Sequence, residues 1–297
     1  MIWFYAGFTV LILALLALDL GVFHREPREV KIEEALGWSA AWIVLGLGFA
    51  GFIYQAYEGH WRGIGLGGDL MSVSSADVAG RVDGGAAAFK YLTGYLIEKS
   101  LSVDNIFVIA MIFGLLEIPA AYRRRILFFG ILGAIAARAA MIALGIRLLA
   151  DFSWIIYVFG VVLILIALKM LFVGQDGGRS GGAFIRAVRR RLPVAERVHG
   201  GRFWVRAGGS AKADAILDAA SPGALLMTPL FFALLAVESA DLVFSIESIP
   251  AVLAVTTDPF LVFTSNVFAI LGMRSLYFAL EGMIDVFHHL KTALALV

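Results

Sequence analysis

The chain has 297 residues, 61% hydrophobic and 16% charged, with a formal net charge of +1 and a mean hydropathy of +0.89. Soluble domains carry about a quarter charged residues and roughly half apolar ones, so this balance puts the chain in the membrane class. It contains no cysteine, which excludes disulfides, zinc–thiolate sites, iron–sulfur clusters and cysteine nucleophiles.

A membrane-spanning helix needs about 20 mostly apolar residues. Seven stretches qualify, at roughly 2–23, 36–56, 91–116, 126–149, 152–173, 224–247 and 260–280. The first lacks a basic leading region, and Asp19 interrupts its apolar run where a small-residue cleavage site would be expected. It therefore reads as a span and not as a signal peptide. The C-terminal LKTALALV reads as the start of an eighth span, cut short. The expected fold is all-α, a polytopic transmembrane helix bundle of seven spans plus a partial eighth, forming one domain over 1–297.

Loop charge gives an orientation. The linkers after spans one, three and five hold three, three and nine Lys or Arg, against about three, one and none after spans two, four and six. The positive-inside rule then puts the former in the cytoplasm and the N-terminus outside. The linker 174–223 is an Arg-rich segment within the single domain. Its Phe184, Val188 and Leu192 fall on one helical face, with Arg186, Arg189, Arg190 and Arg191 around the rest. Two readings of 184–192 stand side by side: a solvated loop, or an interfacial helix on anionic headgroups. The linker 57–90 reads as a flexible outer loop, and its Glu58, His60 and Asp69 lack a metal-binding spacing.

The chemistry lies inside spans three and six. EKSLSVDNIF (98–107) interrupts one and VESADLVFSIESIPA (237–251) the other. Ser102-Val103-Asp104-Asn105-Ile106-Phe107 matches Ser239-Ala240-Asp241-Leu242-Val243-Phe244 as S-x-D-x-x-F, with Glu98 and Glu238 ahead of the two copies. Copies three spans apart run oppositely through the bilayer, the mark of an inverted repeat relating helices three and six, whose substrate site is expected near the midplane.

A carboxylate at the centre of a membrane helix costs about 2.5–3.5 kcal/mol on insertion scales. Glu98, Asp104, Glu238, Asp241 and Glu247 outnumber the candidate pairing bases within spans, taken as Lys99, Arg138 and Arg274. A structural ion-pair network would call for one base per carboxylate, so a bound cation or protons are expected to make up the difference. The five carboxylates are the candidate metal ligands. Ser102, Asn105, Ser239 and Ser245 are candidate further ligands or supports. All supply oxygen, which suits magnesium, calcium or manganese and not softer metals.

Glu98, Ser102 and Asn105 share a helix face, while Asp104 lies about 120° from Glu98, an offset that Asp241 and Glu247 repeat. Pro250 is expected to break helix six near Ser245–Glu247 and so gather these groups. Carboxylates that release a metal can take up protons in its place, which suggests exchange of metal for protons. Asp19, near the end of span one, reads as a snorkelling terminus, with a supporting role at the site as the lesser reading. Asn266 in span seven reads first as an interhelical hydrogen-bonding group.

GYLIEKSLSVDNIFV, RRRILFFGILGA and VESADLVFSIESIPAVLAVTTDPFLVFTSNVFAILGMRSLYF together resemble the TerC/Alx family. That resemblance implies an inner-membrane protein of the LysE-type transporters, linked to manganese export, alkaline-pH response and, by name, tellurite resistance. It also implies metal handling by the acidic residues of helices three and six, here Glu98, Asp104, Glu238, Asp241 and Glu247. Glu247 departs from the family pattern, which has Asp in D-S-I-P-A. The expected function is export of Mn2+ or a similar hard divalent cation, possible in exchange for protons. The alternative is a membrane scaffold or metal-sensing accessory protein in metal or tellurite stress. The partners expected are the metal ion and the bilayer, with no nucleic acid. An intramembrane aspartyl protease would need motifs this chain lacks, so no enzyme activity is expected.

Overall fold

A computed structural model describes residues 2–152, 154–173, 195, 198, 201–207 and 223–294, apart from 24–31 and 67–80. Eight α-helices appear among them: α1 (Ile2–Phe23), α2 (Ile32–Glu58), α3 (Gly84–Leu115), α4 (Ala120–Asp151), α5 (Ile155–Val173), α6 (Pro229–Leu253), α7 (Pro259–Ile270) and α8 (Met273–Leu294). Two short strands, β1 (Trp204–Arg206) and β2 (Leu225–Met227), pair antiparallel with Val205 opposite Leu226. Four segments are long and apolar enough to cross a membrane: α2, α4, α6 and the α7–α8 run Pro259–Met283. Shorter apolar stretches lie in α1 (Trp3–Leu18) and α5 (Ile155–Leu165).

The seventh expected span is two helices. Asp258 caps α7, its Oδ1 accepting from Phe260 N at 2.9 Å and Leu261 N at 3.2 Å. Twelve residues later Leu271 turns extended and Gly272 takes φ +82°, and α8 starts afresh. A Cβ on Gly272 would lie 2.6 Å from Cβ of Trp42, so α2 packs closely against the break. The sixth span begins later than expected, because residues 225–227 are committed to the hairpin and Pro229 opens α6. Pro250 does not break α6, which stays helical through Leu253. It lies in the last turn, where the lost N–H bond affects one carbonyl and the following turn is not required.

The linker after α2 holds a 3-10 turn at Trp61–Gly63. Glu58 Oε2 accepts from Gly84 N at 3.1 Å, tying the end of α2 to the start of α3. The Arg-rich 184–192 segment, Asp69 and the terminal residues 295–297 lie outside the described residues, as does the side chain of Asp19.

Helix α3 is the hub, packing on α2, α6 and α7, while α4 packs on α6 and α7. Small residues set the closest approaches. A Cβ on Gly94 would meet Ser265 Oγ at 3.0 Å and Val252 at 3.2 Å, so α3 lies close against both α6 and α7. Membrane helices associate through such packing and through interhelical hydrogen bonds, since lipid supplies no hydrophobic drive between them. Both devices meet at the polar cluster below.

Candidate functional site

Near the middle of α4, Arg138 is 1% exposed. Its guanidinium is planar and presents its donors as a fork. One edge of the fork takes Asp241 of α6: Nε donates to Oδ2 at 3.2 Å and Nη2 to Oδ1 at 2.8 Å. Nη1 donates to Glu98 Oε1 of α3 and to Asn266 Oδ1 of α7, the latter at 3.0 Å. Ser248 Oγ of α6 lies 3.4 Å from the same nitrogen. Nη1 has two protons, so Ser248 is the weak third neighbour. Asn266 Nδ2 donates to Glu98 Oε2 at 3.1 Å. Its amide is thereby fixed, oxygen toward the cation and nitrogen toward the carboxylate.

Four helices meet in this cluster, and Glu98 and Asn266 are each 0% exposed. Burying ions costs several kcal/mol each unless pairing and hydrogen bonds compensate. Here every oxygen of Glu98 and Asp241 has a donor. One guanidinium faces two carboxylates, so the cluster keeps one excess negative charge.

A second polar group begins one turn away. Glu238 precedes Asp241 by three residues and shares its side of α6. Its carboxylate rests on α4 at Gly133, where a Cβ would lie 2.1 Å from Oε1. A methyl group there would force the carboxylate to move. A small cavity, about 20 Å³ open to the centres of water molecules, is lined by Asn105, Gly130, Glu238, Asp241, Phe244 and Arg274 among others. Asn105 is buried, and its Oδ1 has no hydrogen-bond partner among the described residues. An acceptor left unpaired in a buried site costs about 1–3 kcal/mol.

The other candidates fall elsewhere. Asp104 and Glu247 are half-buried and form no salt bridge among the described residues. The hydroxyls of Ser102, Ser239 and Ser245 each donate to the carbonyl four residues back, at 2.7, 2.7 and 2.8 Å. That satisfies them within their own helices. Lys99 donates to Ala269 O at 3.2 Å, near the end of α7. Among the described residues, no group of three or more His, Cys, Asp or Glu is placed to hold a metal ion.

Two features escape a reading by motif. Arg138 is the centre of the cluster, although in sequence it is one of three candidate pairing bases. The side chains that meet are Glu98 and Asp241, not Asp104 and Asp241 as the S-x-D-x-x-F match would pair them. Aligning Glu98 with Asp241 also aligns Ser102 with Ser245, Val103 with Ile246, Asp104 with Glu247, Asn105 with Ser248 and Ile106 with Ile249. This longer match, SVDNI against SIESI, was visible in the sequence and includes Ser248.

The profile of the Integral membrane protein TerC family matches residues 83–297. An uncharacterized membrane protein of Myxococcus xanthus is 43% identical over 99% of this chain and 80% of its own length. Proteins named "Putative membrane-bound redox modulator Alx" are similar too. That of Photorhabdus laumondii is 38% identical and that of Escherichia coli K12 37%, each over 99% of this chain and 82% of the relative. No solved structure matches the chain.

Proposed function

This chain belongs to the TerC family of integral membrane proteins, and from that premise we propose that it is a secondary transporter exporting Mn2+ or a similar hard divalent cation through its intramembrane carboxylates. The observation that carries this reading is the meeting of Glu98 and Asp241 from two helices, with Glu238 and Asn105 beside them, in the interior of an apolar bundle. Intramembrane carboxylates are expensive and mark ion pathways. The oxygen-only donor set selects hard cations. The excess negative charge favours uptake of a cation or a proton, which supports exchange of metal for protons.

In this reading the chain sits in the inner membrane with its N-terminus outside, and it belongs with the LysE-type transporters. Helices α3 and α6 are the paired elements of an inverted repeat in the Glu98–Asp241 register. Glu98, Glu238 and Asp241 are the principal ligands, while Asp104 and Glu247, six residues beyond the paired carboxylates, serve on the path to the site.

The test is Mn2+ uptake into inside-out vesicles by wild type, Glu98→Gln and Asp241→Asn, with folding checked by gel filtration. Uptake by wild type and its loss in both variants is the expected result. Folded wild-type protein without uptake would overturn it. Equal uptake with and without a pH gradient would remove the proton exchange alone.

A second reading is a scaffold or metal-sensing accessory protein in metal or tellurite stress. The name carried by the Alx relatives favours it. With no cysteine in this chain, an effect on redox state would run through metal supply or a partner and not through thiols of its own.

A further inference from the structure

We propose that Arg138 is a tethered substitute for the transported cation: it pairs with Glu98 and Asp241 while no ion is bound, and it must release Asp241 for an ion to bind between Asp241, Glu238 and Asn105. This rests on the transport reading above and adds the competitor that the ion displaces.

Asp241 is the shared group. Its two oxygens hold the guanidinium at 2.8 and 3.2 Å, and the same residue lines the cavity with Asn105 and Glu238. Two carboxylates and an amide oxygen make a donor set for a hard cation. The unpaired Asn105 Oδ1 is the independent sign that something polar belongs there. The cavity exceeds the roughly 10–15 Å³ needed for one water, so it can take an ion or a water but not a second side chain. Arg274 also lines it. The combined site holds three carboxyl groups against two guanidiniums.

A divalent ion at Asp241 and a guanidinium on the same carboxylate repel each other, so the two exclude one another. In the guanidinium-bound state Arg138 stands between Glu98 and Asp241. Such competition gives a transporter a stable ion-free state without leaving bare carboxylates in the bilayer.

The experiment is Mn2+ titration of the full chain in nanodiscs, followed by the electron paramagnetic resonance signal of free Mn2+. Wild type is compared with Arg138→Lys, Arg138→Gln and Asn105→Leu. Lysine keeps the charge but cannot hold both carboxylates with a planar fork. If the competent state is roughly 1–10% populated in wild type, a weaker competitor tightens apparent binding about tenfold or more. Arg138→Lys is expected to show this. Arg138→Gln is expected to bind at least as tightly and to need Mn2+ for folding. Asn105→Leu, which fills the cavity, is expected to weaken binding.

Measurable wild-type binding that is unchanged or weaker in Arg138→Lys would overturn the competitor role and leave the transport reading standing. Folded protein that binds no Mn2+ in wild type and in Arg138→Lys would overturn both. Should Arg138→Gln fail to fold even with Mn2+, Arg138→Lys decides.

Discussion

Asn266 gives a direct measure of how strongly the buried cluster holds the bundle together. Asn266→Leu keeps the branched shape and the number of side-chain heavy atoms and removes both hydrogen bonds, 3.0 Å from Arg138 and 3.1 Å to Glu98. Ordinary interhelical hydrogen bonds in membrane proteins average about 0.6 kcal/mol, because the unfolded state in the membrane also finds partners. Two of them would total about 1 kcal/mol. Bonds to charged groups are worth about 1.5–3 kcal/mol each, and Glu98 Oε2 would be left buried without a donor. The structure therefore predicts a loss of about 2–4 kcal/mol. The assay is reversible unfolding in mixed micelles of increasing SDS content. A Glu98→Gln background should reduce the effect of Asn266→Leu by about 1–2 kcal/mol, as neighbours in one network are not additive. An Asn266→Leu loss below about 0.5 kcal/mol, a surface-like value, would refute the reasoning.

Gly133→Ala puts a methyl group 2.1 Å from Glu238 Oε1. It should cost about 1–3 kcal/mol by overpacking in the same unfolding assay, and Glu238→Ala should recover most of that loss. Arg125 donates to Gly201 O at 2.7 Å and lies 4.8 Å from the ring of Phe203, pinning the hairpin segment to the start of α4. Arg125→Ala should speed proteolytic cleavage within 201–207 severalfold without changing the unfolding midpoint by more than about 0.5 kcal/mol.

Much of the bundle was legible because a span needs only length and apolarity, and both are properties of composition. The seventh span shows the limit. FLVFTSNVFAILGMRSLYF is continuous in hydropathy, yet Gly272 in the left-handed region divides it, packed against Trp42 of a distant helix. Pro250 shows the opposite error. Proline in mid-helix predicts a break, but three residues from the helix end it costs little. Neither outcome follows from local sequence.

The site was legible as residue types and not as partners. Acidic groups inside spans mark themselves by their cost, so Glu98, Glu238 and Asp241 stand out in the sequence. Which of them meet depends on helix rotation, and that is set by close packing at Gly94 and Gly133. The S-x-D-x-x-F match aligns Asp104 with Asp241, whereas the two carboxylates that meet on Arg138, Glu98 and Asp241, align in the register of SVDNI against SIESI, where Ser and Ile are identical. That register gives each helix a first carboxylate on Arg138 and a second one six residues on, turned about 120° away. Counting carboxylates against bases does not say which base meets which acid; the structure gives Arg138 to Glu98 and Asp241. Arg138 places compensating charge inside the protein, between Glu98 and Asp241, so the pairing of these two carboxylates does not require an ion.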